Sequence, residues 1–475
     1  MLTMEYEVQC DEAPFFYVLS KPGLGETADH PSSARLGRLK MSGRKSLETP
    51  NFLALSSRGV VPHITPDVMI KHTKFDGVYM ALEDFIERAP TGTPPIVKCT
   101  SKRGSPLHTF TALHSSLFTV LAPRRTPAVP APTGNSNDAI SIFTSVGFYP
   151  LTTALYSQYV QTLRPDIAIS LADIPFRQPP GVKRVAKMAD RTSEWLDALI
   201  SDSRSHESAE KSQPAIFAPI LPIDFHDQSE YLHHIADDLP DSISGLAFYS
   251  SSLLPDIPAT TAISRLPRLS LDEPSSPHQL LREISLGIDI FTIPFVGFAT
   301  DAGLGFIFQF PPPAATSLEE TRHRVKPLAM DLFSSALATT VAPIIQGCSC
   351  YTCTAHHTAY ITHLLSAKEM LGWVLLQIHN HHVMSEFFAA IRVSITAGTF
   401  ESDREVFETY YESDLPEGTG EKPRVRGYHF KSEGPGQARK NKPAWGNLGG
   451  ADSPLVPDES SKELEDKGFA EPVDQ

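Results

Sequence analysis

Five short apolar runs separated by helical patterns fill the middle of this chain, and their alternation restricts the fold more than any other feature. The runs are DIAISLADI (166–174), AIFAPIL (215–221), GLAFYS (245–250), RLPRLSL (265–271) and IDIFTIPF (288–295). Such runs read as strands covered on both faces. Between them lie the helical patterns SEWLDALIS (193–201), QSEYLHHIADDL (228–239) and SPHQLLREISLG (276–287). In the last, Ser276 stands at the N-cap position, Pro277 in the first turn and Gly287 at the stop. Buried strands alternating with helices imply parallel βαβ units. An α/β fold follows, either a (β/α)8 TIM barrel or a doubly wound sheet. No GxGxxG follows the first strand and no P-loop occurs, so the barrel is the expected architecture.

The chain has 475 residues, enough for one large core with extensions. Its net charge of −14 argues against autonomous nucleic-acid binding through a broad basic face. No apolar run reaches the roughly 18 residues that span a bilayer. The opening MLTMEYEVQCDEAPFF lacks a basic region before an apolar stretch, so the expected location is cytoplasmic. Polar, Pro-rich connectors are expected at 121–139, 202–213 and 310–327. From Asp414 onward Gly, Pro, Lys and Glu dominate without apolar periodicity. The expected division is therefore a barrel over 1–413 and a disordered tail over 414–475.

Three of the five cysteines, Cys348, Cys350 and Cys353, form CxCxxC. Cys10 and Cys99 have no close partner in sequence and read as plain thiols. In a reducing compartment, clustered thiols are metal ligands rather than disulfides. Zn²⁺ in a closed site takes four ligands in a tetrahedron, so a histidine from elsewhere must supply the fourth corner. Three thiolates beside abundant histidines favour zinc over an iron–sulfur cluster, and a structural over a catalytic role. The candidates are His356, His357, His363, His379, His381 and His382. The pattern from Tyr360 to Ile378 reads as one continuous helix leading away from the thiols. His379 must then return by packing, or lie on a second helix after a turn at Gly372. Spacing favours His356 or His357 as much as His379.

The stretch CSCYTC…AYITHLLSAKEMLG…LLQIHN resembles the zinc motif of the tRNA-guanine transglycosylases, a family of zinc-bearing (β/α)8 barrels. In that family the fourth ligand is the histidine of an IHN triplet, 26 residues after the last cysteine. Here that residue is His379, and the resemblance implies an inserted zinc-binding segment over 347–383. LETPNFLALSSRGVVPHITPD (47–67) is similar to the family's opening strand and loop, and the resemblance runs from about Thr49 to Arg392.

The family exchanges guanine in tRNA for a modified base by double displacement. One aspartate attacks the ribose anomeric carbon and a second handles the proton on the bases. In the family's GxDxFDxxxPTR string the nucleophile follows GxDxF; here GIDIFTIPFVGF places Thr292 there. Asp289 matches the earlier aspartate and is expected in the barrel wall. Where active members carry DSGGFQ, this chain reads TSVGFYP, with Thr144 for the aspartate and Val146 for the first glycine. A neutral hydroxyl without an activating base replaces neither carboxylate. The resemblance thus implies no catalytic residue, and a place as the non-catalytic subunit of a heterodimer with a homologous catalytic subunit, reaching tRNA through the complex. It also places Asp173, Gly245 and Leu246 near the family's base-recognition positions, with packing or helix capping as the alternative for Asp173. Peripheral association with the mitochondrial outer membrane through a partner stays open.

Two other readings stand beside this one. The first is an active transglycosylase with a displaced nucleophile such as Asp301. The second is a zinc-stabilised scaffold or base-binding barrel unrelated to tRNA. Finally, KPRVRGYHFKSEGPGQARKNK (422–442) carries seven Lys or Arg against one Glu. It is either a solvated segment or a phosphate-binding arm with Tyr428 and Phe430 available to stack on bases.

Overall fold

Eight parallel strands close on themselves in the computed structural model: β1 (Asn51–Leu55), β2 (Gly77–Ala81), β3 (Phe118–Ala122), β4 (Ile167–Ile169), β5 (Ala215–Ile220), β6 (Gly245–Phe248), β7 (Arg268–Ser270) and β8 (Ile290–Thr292). Closure is made by β8 against β1, with Ile290 opposite Asn51 and Thr292 opposite Leu53. The structure describes residues 15–19, 34–86, 93–99, 105–131, 134–144, 147–175, 180–205, 213–257, 261–313 and 325–423. Cys10, Val146 and the basic stretch from residue 424 onward, with Tyr428 and Phe430, lie outside them.

Alternate residues of each strand point to opposite sides, which gives the barrel two cores. Leu53, Tyr79, Val120, Ile169, Phe217 and Ile290 fill the interior. The intervening residues, such as Phe52, Met80, Leu121 and Leu246, pack outward beneath the helices. A three-stranded antiparallel sheet of Phe16–Val18, Gly37–Leu39 and Leu47–Thr49 adds Leu39 and Leu47 to the interior core. Phe15 meets Phe217 edge-on at 6.4 Å.

The helices follow the sequence pattern with local differences. Helix α1 spans Val182–Ser205, well beyond the expected 193–201. Helix α2 (Pro277–Ser285) starts at Pro277 as expected, but the Ser276 hydroxyl makes no capping bond. After β8 come helix α3 (Pro294–Asp301), a ribbon of β9 (Leu304–Phe306) and β10 (Ala329–Asp331), and the short helix α4 (Tyr351–Ala355). Then follow α5 (Thr358–Ser366), the 28-residue α6 (Met370–Ala397) and α7 (Phe400–Tyr410).

Phe388 of α6 lies 5.5 Å from Phe52 of β1 and 5.8 Å from Phe291 of β8, so α6 serves as the eighth barrel helix. The unit bearing the cysteines is inserted between the last strand and this helix. It has its own core of Leu332, Ile344, Ile361, Leu365, Trp373 and Leu376. Although α6 is long, no helix among the described residues is long and apolar enough to cross a membrane. Residues 414–423 carry no helix or strand, yet they pack on the body: Leu415 joins the main core and Thr419 bonds Asp331. The packed body therefore runs past the boundary expected at Asp414.

Candidate metal centre and barrel mouth

The expected continuous helix over 360–378 is broken at Ala367–Glu369, and this break assembles the centre. The Ala367 N–H bonds the His363 carbonyl and the Glu369 N–H bonds the Leu364 carbonyl, closing α5, while Lys368 takes a left-handed φ of 59°. Gly372 then packs against α5; a Cβ there would stand 3.0 Å from the Leu365 side chain. The chain returns past the cysteine loop and carries His379 with it. On the other side Cys350 caps α4, its Sγ accepting from the Cys353 N–H at 3.2 Å. The Thr352 hydroxyl bonds the Leu375 carbonyl at 2.5 Å, tying α4 to α6.

Cys348, Cys350, Cys353 and His379 converge, with one ligand atom from each lying within 4.8 Å of the others. His379 Nδ1 stands 3.5 Å from Cys350 Sγ and 3.4 Å from Cys353 Sγ. Zinc bond lengths of about 2.3 Å to sulfur and 2.05 Å to nitrogen give a tetrahedral S–N edge of roughly 3.6 Å. The donor set and spacing fit a metal ion. The histidine is itself held in place. His379 Nε2 donates to the Phe306 carbonyl at 2.8 Å, which leaves Nδ1 to face the thiols. Asn380 receives the Phe306 N–H at 2.9 Å and donates to the Leu304 carbonyl and the Thr300 hydroxyl. Hydrogen bonds from Cys348 and Cys350 hold the Cys353 thiol down at about 3. The bond with Cys350 lowers Cys348 to about 6, while hydrogen bonds with Cys348 and Cys353 push Cys350 up.

The other candidate histidines have different places. His356 stacks on Tyr360 at 5.4 Å, and His357 caps α5 by accepting from the Tyr360 N–H. His363 is exposed, and His382 faces Ser349 at 3.5 Å. His381 is buried between Phe52 and Phe75, where burial lowers it to about 3.

At the barrel mouth Thr292 ends β8. It is fully buried and lies two residues beyond the interior residue Ile290, so alternation turns it inward. Its hydroxyl donates to the Ser270 carbonyl at 3.2 Å. Thr144 ends the first strand of a hairpin, Ala139–Thr144 with Gly147–Thr152, and its hydroxyl donates to the Gly147 carbonyl at 2.8 Å. Asp301 accepts from His63 at 2.8 Å. It ends α3, about 12 Å of helix rise beyond the strand end. Asp289 is fully buried and takes a two-point contact from Arg35 at 2.9 and 2.6 Å, together with the Arg268 N–H.

The three residues expected near base recognition have separate places in the fold. Asp173 is fully buried; Arg184, Arg191 and Asn135 occupy both its carboxylate oxygens. Gly245 stands at the start of β6, opposite the mouth, where a Cβ would lie 2.4 Å from the Phe217 ring. Leu246 points outward into the layer beneath the helices. Strand direction and pleat put Tyr249 at the mouth and Gly245 at the other end of β6.

The mouth holds a cavity of about 330 Å³ lined by Tyr79, Arg124, Tyr249, Asp272 and Glu273 among others. Asp272 accepts the Ser251 N–H and Glu273 the Ala128 N–H, and burial raises both carboxyls. Sequence reading missed this pair, although an Asp-Glu step directly after a barrel strand is a signal for mouth residues.

A closed parallel barrel with a Cys3His centre, built from an insert after its last strand and the helix that follows, defines a metal-site-bearing (β/α)8 barrel. The family model described as Queuine tRNA-ribosyltransferase (TGT) matches residues 29–413, and the chain belongs to that family. A relative from Schizosaccharomyces pombe, named queuine tRNA-ribosyltransferase accessory subunit 2, is 36% identical over 420 residues, covering 87% of this chain and 90% of its own. Relatives of the same name from Xenopus laevis and Drosophila melanogaster are each 26% identical. They cover 77% and 78% of this chain, and 94% and 88% of their own.

Proposed function

We propose that this chain is the non-catalytic subunit of a heterodimeric queuine tRNA-ribosyltransferase. In this reading it supports a homologous catalytic subunit that exchanges guanine for queuine at the tRNA wobble position. The carrying observation is Thr292: a buried hydroxyl donating to a main-chain carbonyl stands where the family's chemistry needs a carboxylate. A threonine so placed cannot form and release the glycosyl ester that double displacement requires. The names of the relatives support the same reading. Cys348, Cys350, Cys353 and His379 hold one structural Zn²⁺, which supplies a crosslink between the cysteine loop and α6 rather than a Lewis acid at the mouth. The partner engages tRNA, which this chain reaches through the complex, in the cytoplasm.

The test is labelled-guanine incorporation into tRNA with this chain alone, with the catalytic subunit alone and with both. Incorporation is expected only where the catalytic subunit is present, with the pair exceeding it alone. Exchange by the isolated chain at a rate near that of the pair overturns the proposal.

A further inference from the structure

The ten residues after Ser413 lie across the metal-bearing unit in a way that the barrel itself does not require. Gly420 approaches one side of the Phe333 ring so closely that a Cβ would stand 2.0 Å from it. Gly303, at φ +77°, approaches the same ring to 2.4 Å on the same measure. Phe333 is thus packed against two glycines, one from the turn between α3 and β9 and one from the C-terminal segment. Between them Thr419 donates to Asp331 Oδ2 from both its hydroxyl, at 2.5 Å, and its N–H, at 3.2 Å. Gly418 abuts the Ala302 carbonyl, and Glu421 pairs with Lys368 at 2.6 Å, beside the turn that returns α6.

Asp331 and Phe333 belong to the structure that aims the fourth ligand. Asp331 is opposite Leu304 in the ribbon and receives the Phe333 N–H on its other oxygen. Two residues along β9 from Leu304 is Phe306, whose carbonyl holds His379 Nε2 and whose N–H is held by Asn380. A short path of direct contacts therefore runs from Thr419 and Gly420 through Asp331 and the ribbon to the His379 imidazole.

We infer that residues 414–423 are a strap that keeps the β9–β10 ribbon in register, so that His379 stays aimed at the three thiolates and the metal is retained. Groups that orient a ligand in this way change metal affinity by about 10- to 100-fold when removed. The strap is one contact further out, so an effect on the order of tenfold is expected.

The test uses the full-length chain. Zinc content is measured first, then the rate of zinc transfer to a chromogenic chelator, for the wild type, Thr419→Ser, Thr419→Val and Gly420→Val. Melting of the metal-free forms is recorded in parallel. Thr419→Ser keeps the hydroxyl and should match the wild type. Thr419→Val should release zinc about tenfold faster with little change in metal-free melting, and Gly420→Val, which displaces Phe333, faster still. Release unchanged in both Val variants overturns the strap while leaving the metal centre intact. Equal loss of metal-free stability with unchanged release also overturns it, since the strap would then be packing alone. A wild type without stoichiometric zinc overturns the centre and the strap's role together.

Discussion

His379 holds Phe306 by the carbonyl while its neighbour Asn380 holds the same residue by the N–H, at 2.8 and 2.9 Å. Two successive helix residues thereby fix the peptide units before and after Phe306, on the edge of β9 that faces α6. The consequence is a histidine that cannot rotate: Nε2 is committed to the ribbon, and Nδ1 is left facing Cys350 and Cys353. The IHN triplet is thus a ligand with its own support rather than a ligand and two bystanders.

Substituting a ligand should remove the metal outright. Cys350→Ser and His379→Ala are expected to lose stoichiometric zinc and to melt at lower temperature, because binding at a structural site is coupled to folding. His356→Ala should keep its zinc. Elemental analysis with thermal melts checks this, and the opposite pattern for the two histidines reassigns the fourth ligand.

Thr292 should tolerate loss of its hydroxyl. That group donates only to the Ser270 carbonyl, so Thr292→Val is expected to cost about 1 kcal/mol of stability. Exchange by the assembled pair should stay within about twofold of wild type, since a group outside the chemistry carries no transition-state term. A large loss of pair activity with normal folding would contradict a non-catalytic barrel.

Asp173 should act on stability rather than on base binding. Removing it takes the carboxylate from Arg184 and Arg191, whose side chains are 28% and 13% exposed, and leaves Arg191 only its bonds to Asn135 and Asn137. Breaking a buried pair costs about 3–5 kcal/mol, and the partial exposure of Arg184 places Asp173→Ala near 3 kcal/mol. Urea unfolding measures this. An unchanged midpoint, with altered affinity for a free base, reverses the assignment.

Glu283 should make stability depend on pH. Burial raises its carboxyl from 4.5 to about 7 despite bonds from Ser270 and Ser251. Between those values the folded chain keeps a proton that the unfolded chain has released. Stability from this group is therefore present below about pH 4.5, falls as pH rises through the window and is flat above 7. Glu283→Gln should remove that slope, a difference on the order of 2–3 kcal/mol between pH 5 and pH 8. Parallel unfolding curves for the two proteins across this range would contradict it.

The basic stretch 422–442 can be tested without disturbing the strap, by ending the chain after Pro423. If it is a phosphate-binding arm, the assembled pair should bind tRNA more weakly, with a shallower dependence on salt, as counterion release requires. Unchanged affinity and slope at low and moderate salt identify it as a solvated segment.

What the linear chain determined is local and periodic. Strands such as AIFAPIL and GLAFYS, alternating with helices, announce parallel βαβ units, because period and burial are carried by near neighbours. Three cysteines in six residues announce a metal for the same reason. The fourth ligand was different: His356 and His379 stood level by spacing, and the resemblance alone separated them. In the fold, the turn at 367–369 brings α6 back along α5, and the break is short enough to be hidden within a continuous helical pattern. The roles of Asp173, Gly245 and Tyr249 were likewise decided only in three dimensions. Which carboxylate is neutralised depends on arginines 11 and 18 residues away on another element, and which strand residue reaches the mouth depends on strand direction and pleat. Sequence carries the period of an element, whereas packing sets where each side chain points, and chemistry at a site depends on the latter.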